Sequence, residues 1–261
     1  MNYPEALAVV RSAAPFAAKT VKMLDKEKRE GVIHLLAFFI SLRRDFNAAF
    51  AHGGKELQQA TLKAAGIISG LTGEANESLA PWGELRAVVQ RAQIPRALFV
   101  DYLDALNVEI LHHKFRDRRE FDYFARRFAG APLRAIARVL EIPDDALNAH
   151  ATQSATAWFR VHALLSLKSD LARGKVFIEH AGEGIPTVVD IEANAAAAAG
   201  ELDAARSLAA AIPEKTARRW AIAQVEWNAR VVAKIQRAPM LVLENPARLV
   251  PGIIEELRIR N

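Results

Sequence analysis

Apolar residues recur at three- and four-residue steps through nearly every segment of this chain, whereas runs that alternate apolar and polar residues are almost absent. Such spacing gathers apolar side chains on one face of an α-helix and scatters them over both faces of a strand. Proline and glycine fall between the periodic blocks, where they start or end helices. The spacing predicts helices over about 4–24, 27–50, 54–70, 81–92, 95–114, 117–128, 131–141, 144–173, 187–211, 213–237 and 246–258. Between 51 and 80 the Gly53-Gly54 pair and the polar run TGEANES read as loop. The fold class is therefore all-α, a bundle of helices around a central space.

The 261 residues, 51% of them hydrophobic, suffice to bury one full core, and a single domain over 1–261 is the expectation. The absence of cysteine excludes disulfides and thiolate metal sites and suits a reducing compartment. A formal charge of +5 points to anionic partners such as diphosphates or lipid headgroups, but the charge is spread out, which argues against nucleic acid. The longest strongly apolar run, Leu35 to Leu42, falls far short of the roughly 20 residues a spanning helix needs. Met1 to Lys19 lacks the pattern of a secretory signal, so a cytoplasmic protein with peripheral membrane contact is expected.

The central stretch, Ala155 to Phe177, reads ATAWFRVHALLSLKSDLARGKVF. Pro143 and Asp144 can start its helix, and Gly174 stands where a helix commonly ends. Four residues apart along it run His162, Ser166 and Asp170, which a helix stacks on one face. Elsewhere, Glu109 and His112, with His113 next to it, form an ExxH on one helical face, as in carboxylate-bridged di-iron sites. Those sites need a second such motif and the chain has none: Glu30 and His34 are spaced by four. Phe38, Phe39, Phe46, Phe99, Phe115, Trp158 and Phe159 either line a tunnel for an apolar chain or, more commonly for aromatics at this spacing, fill the core. The basic run RDRREF at 116–121 either meets a membrane or opens a solvated helix.

Taken together, these stretches resemble the squalene/phytoene synthase family. From Ile94, IPRALFVDYLDALNVEILHHKFRDRREFDYFARRFAGAPLRAIARVLEI is similar to the family's IPxxxFxxLIxGxxxDLxxxxYxTxxELxxYxxxVAG over about fifty positions. Phe99 matches its phenylalanine, Ala105 its glycine, Glu109 its aspartate, Phe115 its tyrosine and Ala129-Gly130 its Ala-Gly pair. Leu24, Arg29 and Leu36-Ala37-Phe38-Phe39 resemble the opening LPxxxR and LYAFCRxxDDxxD, but the paired aspartates fall on Arg43 and Arg44 and the last one on Asn47. In the second signature, NxxRDxxEDxxxGRxYLP, the asparagine falls on His162, the arginine on Leu165, the first aspartate on Ser166 and the last on Asp170. The closing alanine-rich helices also match, and the resemblance covers about 16–250.

The resemblance implies a single isoprenoid-synthase-type helical domain with a central cavity. Members of this family join two prenyl diphosphates head to head, with magnesium held by acidic groups on two facing helices. Magnesium takes oxygen ligands in an octahedral array, and arginine, asparagine and serine are poor replacements for carboxylates. The expectation is therefore a divergent member that does not condense by the metal route, similar in this respect to the complex I assembly factor branch. It would bind an isoprenoid diphosphate or lipid, or a protein partner, as an accessory factor without a metal cofactor. The alternative is an active prenyltransferase or terpene-synthase-like enzyme of atypical mechanism, acting on farnesyl or geranylgeranyl diphosphate, with magnesium as its cofactor. Candidate ligand-binding residues are Arg43, Arg44, Asn47, Glu109, Phe159, His162, Ser166, Asp170 and Lys175. Guanidinium groups at 43 and 44 suit phosphate oxygens without a metal. The opposing reading has the arginines solvated, or paired with Asp45 and Asp170.

Overall fold

The computed structural model describes residues 1–73, 81–111, 114–180, 182 and 184–250. These residues are predominantly helical, and no strand occurs among them; an isolated bridge joins Lys114 to Val176. The chain opens with α1 (Tyr3–Ala13) and α2 (Pro15–Thr20), followed by a tight turn of helix at Val21–Met23. A continuous helix over 4–24 was the expectation, and the structure breaks it at Ala14, whose φ is −138°. The cause is Pro15: its ring disfavours helical backbone at the residue before it and it brings no amide to the ladder.

Next come α3 (Lys26–His52), α4 (Gly54–Leu71), α5 (Gly83–Arg91) and α6 (Arg96–Leu111). Asp25 caps α3 by accepting the Lys28 amide at 2.9 Å. The buried face of α3 then repeats as Val32, Leu35, Phe39, Leu42 and Phe46, the three-to-four spacing read from the sequence. Two short helices follow, α7 (Arg118–Phe128) and α8 (Gly130–Val139). At the start of α7, Asp117 accepts the Glu120 amide at 2.9 Å, while Arg116 and Arg118 pair with Glu120 and Asp122. The RDRREF run is thus a capped helix start, with Arg116 paired to Glu120 inside it and Arg118 to Asp122 one turn on.

The longest helix is α9 (Asp144–Leu171), with Asp144 and Asp145 in its first turn, where the helix dipole favours negative charge. It is packed on most sides, against α7, α8, α10 (Val188–Ala210), α11 (Lys215–Arg237) and the short α12 (Leu241–Glu244). At its end Gly174 adopts φ +70°, a value glycine takes at no steric cost, and the amides of Arg173 and Lys175 both donate to the Asp170 carbonyl at 2.9 Å. Alanines of α10, among them Ala195, Ala198, Ala205 and Ala209, are buried and let this helix approach its neighbours closely. Of the expected last helix over 246–258, the described part holds a helical turn at Pro246–Arg248, and the rest, beyond 250, lies outside the described residues.

Two aromatic clusters tie the helices together. Phe38, Phe39, Trp82, Phe99 and Tyr102 join α3 to α6 with ring centroids 4.8 to 5.9 Å apart. Phe121, Phe124 and Phe128 of α7 and Phe159 of α9, with Phe115 just before α7 and Phe177 beyond the end of α9, form the second, and Tyr102 meets Phe128 at 5.8 Å between the two. Each buried ring contributes on the order of 2 kcal/mol from area alone. Among the described residues, no helix is long and apolar enough to cross a membrane.

Candidate functional site

Three helices bring the polar residues of the interior together. Arg43 comes from the second half of α3, Glu109 from the last turn of α6, and His162, Ser166 and Asp170 from one face of α9. The Arg43 Nε lies 3.1 Å from both carboxylate oxygens of Glu109, and its Nη2 donates to Oε1 at 2.5 Å. Its Nη1 reaches the Nε2 of His162 at 3.1 Å. An arginine only donates, so His162 accepts at Nε2 and carries its proton on Nδ1. The guanidinium also lies over the Phe128 ring, 5.0 Å from its centroid.

One turn further along α9, the Ser166 hydroxyl donates to Asp170 Oδ2 at 2.7 Å and Arg173 pairs with the other oxygen. Lys175 turns back under α6, where its ammonium donates to the carbonyls of Glu109 and, at 3.2 Å, Ile110. Both oxygens belong to the final turn of α6, which leaves carbonyls without partners in the helix. Lys175 therefore closes a helix end.

Burial, reinforced by Arg43 and then Arg173, pulls the His162 imidazole down to about 3, so it is neutral at physiological pH. Burial also lowers Lys175, against the pull of Glu109. For Arg43, burial works toward a lower value, but the Glu109 carboxylate more than offsets it and the guanidinium is held above its ordinary value. Tyr102 is raised by burial, and its hydroxyl donates to the Phe39 carbonyl at 3.1 Å.

Beside this polar group lies a cavity of about 680 Å³, bounded by α2, α8, α9, α10 and α11. Its walls include Phe16, Leu133, Trp158, Leu165, Trp220 and Trp227, and at one end Tyr102, Phe128 and His162. The volume falls within the range of small-molecule sites, roughly 300–1,000 Å³. Trp158 alone among the seven aromatics singled out in the sequence lines this space; Phe38, Phe39, Phe46, Phe99, Phe115 and Phe159 are core.

Of the nine candidate residues, six converge: Arg43, Glu109 and His162 directly, Ser166 and Asp170 along α9, and Lys175 through the α6 terminus. Arg44 points to solvent, with 68% of its side chain exposed and Asp45 at 3.7 Å. Asn47 sits half-buried a turn beyond Arg43. Phe159 packs into the phenylalanine cluster and meets Phe128, the ring that also contacts His162, so it is core beside the polar group and not part of it. His112 and His113, and with them the ExxH reading, lie outside the described residues. Among the described residues, no three His, Asp or Glu side chains gather as a metal site.

Sequence reasoning passed over Arg160, which is fully buried in α9. Its guanidinium meets Asn194 at 2.7 Å, Glu179 at 3.0 Å and both oxygens of Glu201 at 3.0 and 3.1 Å, over the Phe121 ring at 4.4 Å. Arg118 shares the two glutamates at 3.1 and 2.8 Å. The available signal was a lone arginine in an apolar run of α9 opposite a lone glutamate in the alanine run of α10.

The family model for squalene/phytoene synthase matches residues 10–178. In shape the chain is similar to the squalene synthase HpnC from Alicyclobacillus acidocaldarius: TM-score 0.76, 16% identity, 90% of this chain and 93% of that one covered. It is also similar to a dehydrosqualene synthase solved in complex with a ligand, with a TM-score of 0.75 and 14% identity over 99% of this chain and 97% of that one. At these identities the likeness carries the fold alone. None of the curated proteins matches the chain in sequence.

Proposed function

We propose, from the premise that the chain belongs to the squalene/phytoene synthase family, that it holds an isoprenoid or similar lipid chain in its central cavity without condensing two prenyl diphosphates by the magnesium route. The observation that carries this reading is the coupling of an apolar cavity of about 680 Å³ to a polar group whose carboxylates are already engaged. Magnesium needs several free oxygen ligands and keeps near-octahedral geometry. Glu109 is held bidentate by Arg43 and Asp170 by Arg173 and Ser166, and both arginines would repel a divalent cation. The residues present do not fit a magnesium cluster.

Binding without chemistry suits an accessory factor that presents, stores or senses a lipid, and a protein partner that receives it. The formal charge of +5 and the lack of cysteine favour a reducing compartment and peripheral contact with an anionic membrane surface. The test is incubation of the purified chain with farnesyl and geranylgeranyl diphosphate, with and without magnesium, following diphosphate release. The expected result is no release under either condition. Release that depends on magnesium, or a metal-free product, replaces this reading with the enzymatic one.

A further inference from the structure

The described residues that line the cavity include no Asp, Glu, Lys or Arg. Its polar members are neutral, and most are already bonded. Tyr102 donates to the Phe39 carbonyl at 3.1 Å and Ser154 to the His150 carbonyl at 2.7 Å. The Gln224 amide donates to the Thr20 hydroxyl at 2.7 Å, and the Asn228 amide to the Gln224 carbonyl at 2.9 Å. Arg43 does not line the space, whereas Phe128 and His162, both in contact with it, do. Its own charge is matched by Glu109. A diphosphate carries several negative charges, and placing them in such a space without a counter-charge is strongly unfavourable.

We infer that the cavity takes an uncharged, long apolar molecule of the polyprenyl alcohol or hydrocarbon class, and not a prenyl diphosphate. This rests on the cavity being a lipid site, as proposed above. His162 lines the cavity, and with its Nε2 engaged by Arg43 it keeps its proton on Nδ1, the neutral donor assigned here to a single hydroxyl or carbonyl. A neutral donor discriminates little between hydroxyl and carbonyl heads but gives a diphosphate no charge neutralisation. The salt bridge between Arg43 and Glu109 then acts as a closed electrostatic gate, keeping the guanidinium from the one kind of head group it would otherwise attract.

The experiment uses tryptophan fluorescence, because Trp158, Trp220 and Trp227 line the cavity and only Trp82 lies elsewhere. Farnesol and farnesyl diphosphate are titrated into the full chain, with magnesium and with chelator, and calorimetry repeats each titration. Farnesol is expected to bind at least tenfold more tightly than farnesyl diphosphate, with no response to magnesium. Ala221→Phe, which fills part of the cavity from α11, is expected to weaken farnesol at least tenfold while the circular dichroism spectrum is kept. Equal or tighter binding of the diphosphate overturns the inference but leaves the lipid-site reading intact, and its loss in Arg43→Gln would locate the head group at the arginine. Binding of neither ligand to folded protein overturns both. Farnesol affinity unchanged by Ala221→Phe also overturns the inference, because the alcohol is then bound elsewhere.

Discussion

Arg43 and Glu109 stand 66 positions apart in the chain and still meet through three contacts at hydrogen-bond distance. The sequence carried each of them as a separate match to a family position, one where the family has an aspartate and one where it also has an acid. Nothing in their spacing said that the arginine would neutralise the glutamate, because that depends on how α3 and α6 cross. His162 was legible as a position facing the same space as Asp170, but its charge state was not, since burial and the nearby arginine set it. Burial, and after it the charge of Arg43, holds His162 at about 3, against an ordinary value near 6.5. Between those values the unfolded chain binds a proton that the folded chain does not, so stability is complete above about pH 6.5 and falls as pH drops toward 3. Comparing urea unfolding of the native chain with His162→Gln across pH 7 to 4 isolates this contribution from the carboxylates. The native chain should lose up to about 1.4 kcal/mol more per pH unit than the variant, less any screening at this half-buried site. Parallel profiles would mean that the imidazole is not held neutral by its surroundings.

Among the elements, the helices were the most readable part, because each carries its own apolar period and its own cap. What the period could not convey was interruption by a single residue, as at Ala14 before Pro15, or the closeness of one helix to another. Gly31 shows the second case. It lies inside α3, where glycine costs up to about 1 kcal/mol relative to alanine, so its presence asks for a reason. The reason is packing: a Cβ built there would stand 2.9 Å from a Val139 methyl of α8 and 3.4 Å from a Val88 methyl of α5. Both neighbours are β-branched and stiff. Gly31→Ala should therefore destabilise by about 1–3 kcal/mol despite the gain in helix propensity, read as a lower urea midpoint at an unchanged slope. Pairing it with Val139→Ala should recover part of that loss by opening the space, and an unpaired Gly31→Ala that stabilises would show that α8 can shift without penalty.

For the whole molecule, the fold was legible and a central cavity was implied by the resemblance, but not that it stays open, since a handful of larger side chains in α8, α10 or α11 would have closed it without disturbing any helical period. Alanines at 129, 205, 209 and 221 keep it open. An open apolar cavity is a standing deficit of packing, which a bound chain makes good, and this gives the proposed function a thermodynamic signature independent of turnover. A ligand that binds only the folded state at a hundred times its dissociation constant adds about 2.7 kcal/mol of stability. For a chain of this size that corresponds to a rise in melting temperature of roughly 5–10 °C. Farnesol should produce such a rise with or without magnesium, and magnesium alone should produce none. Ala221→Phe should melt at or above the native temperature without ligand, because it fills empty space, and should respond much less to farnesol. A rise that appears only when farnesyl diphosphate and magnesium are added together would instead mean that Glu109 and Asp170 leave their arginines to take a metal, and that the polar group is a catalytic site in its resting state.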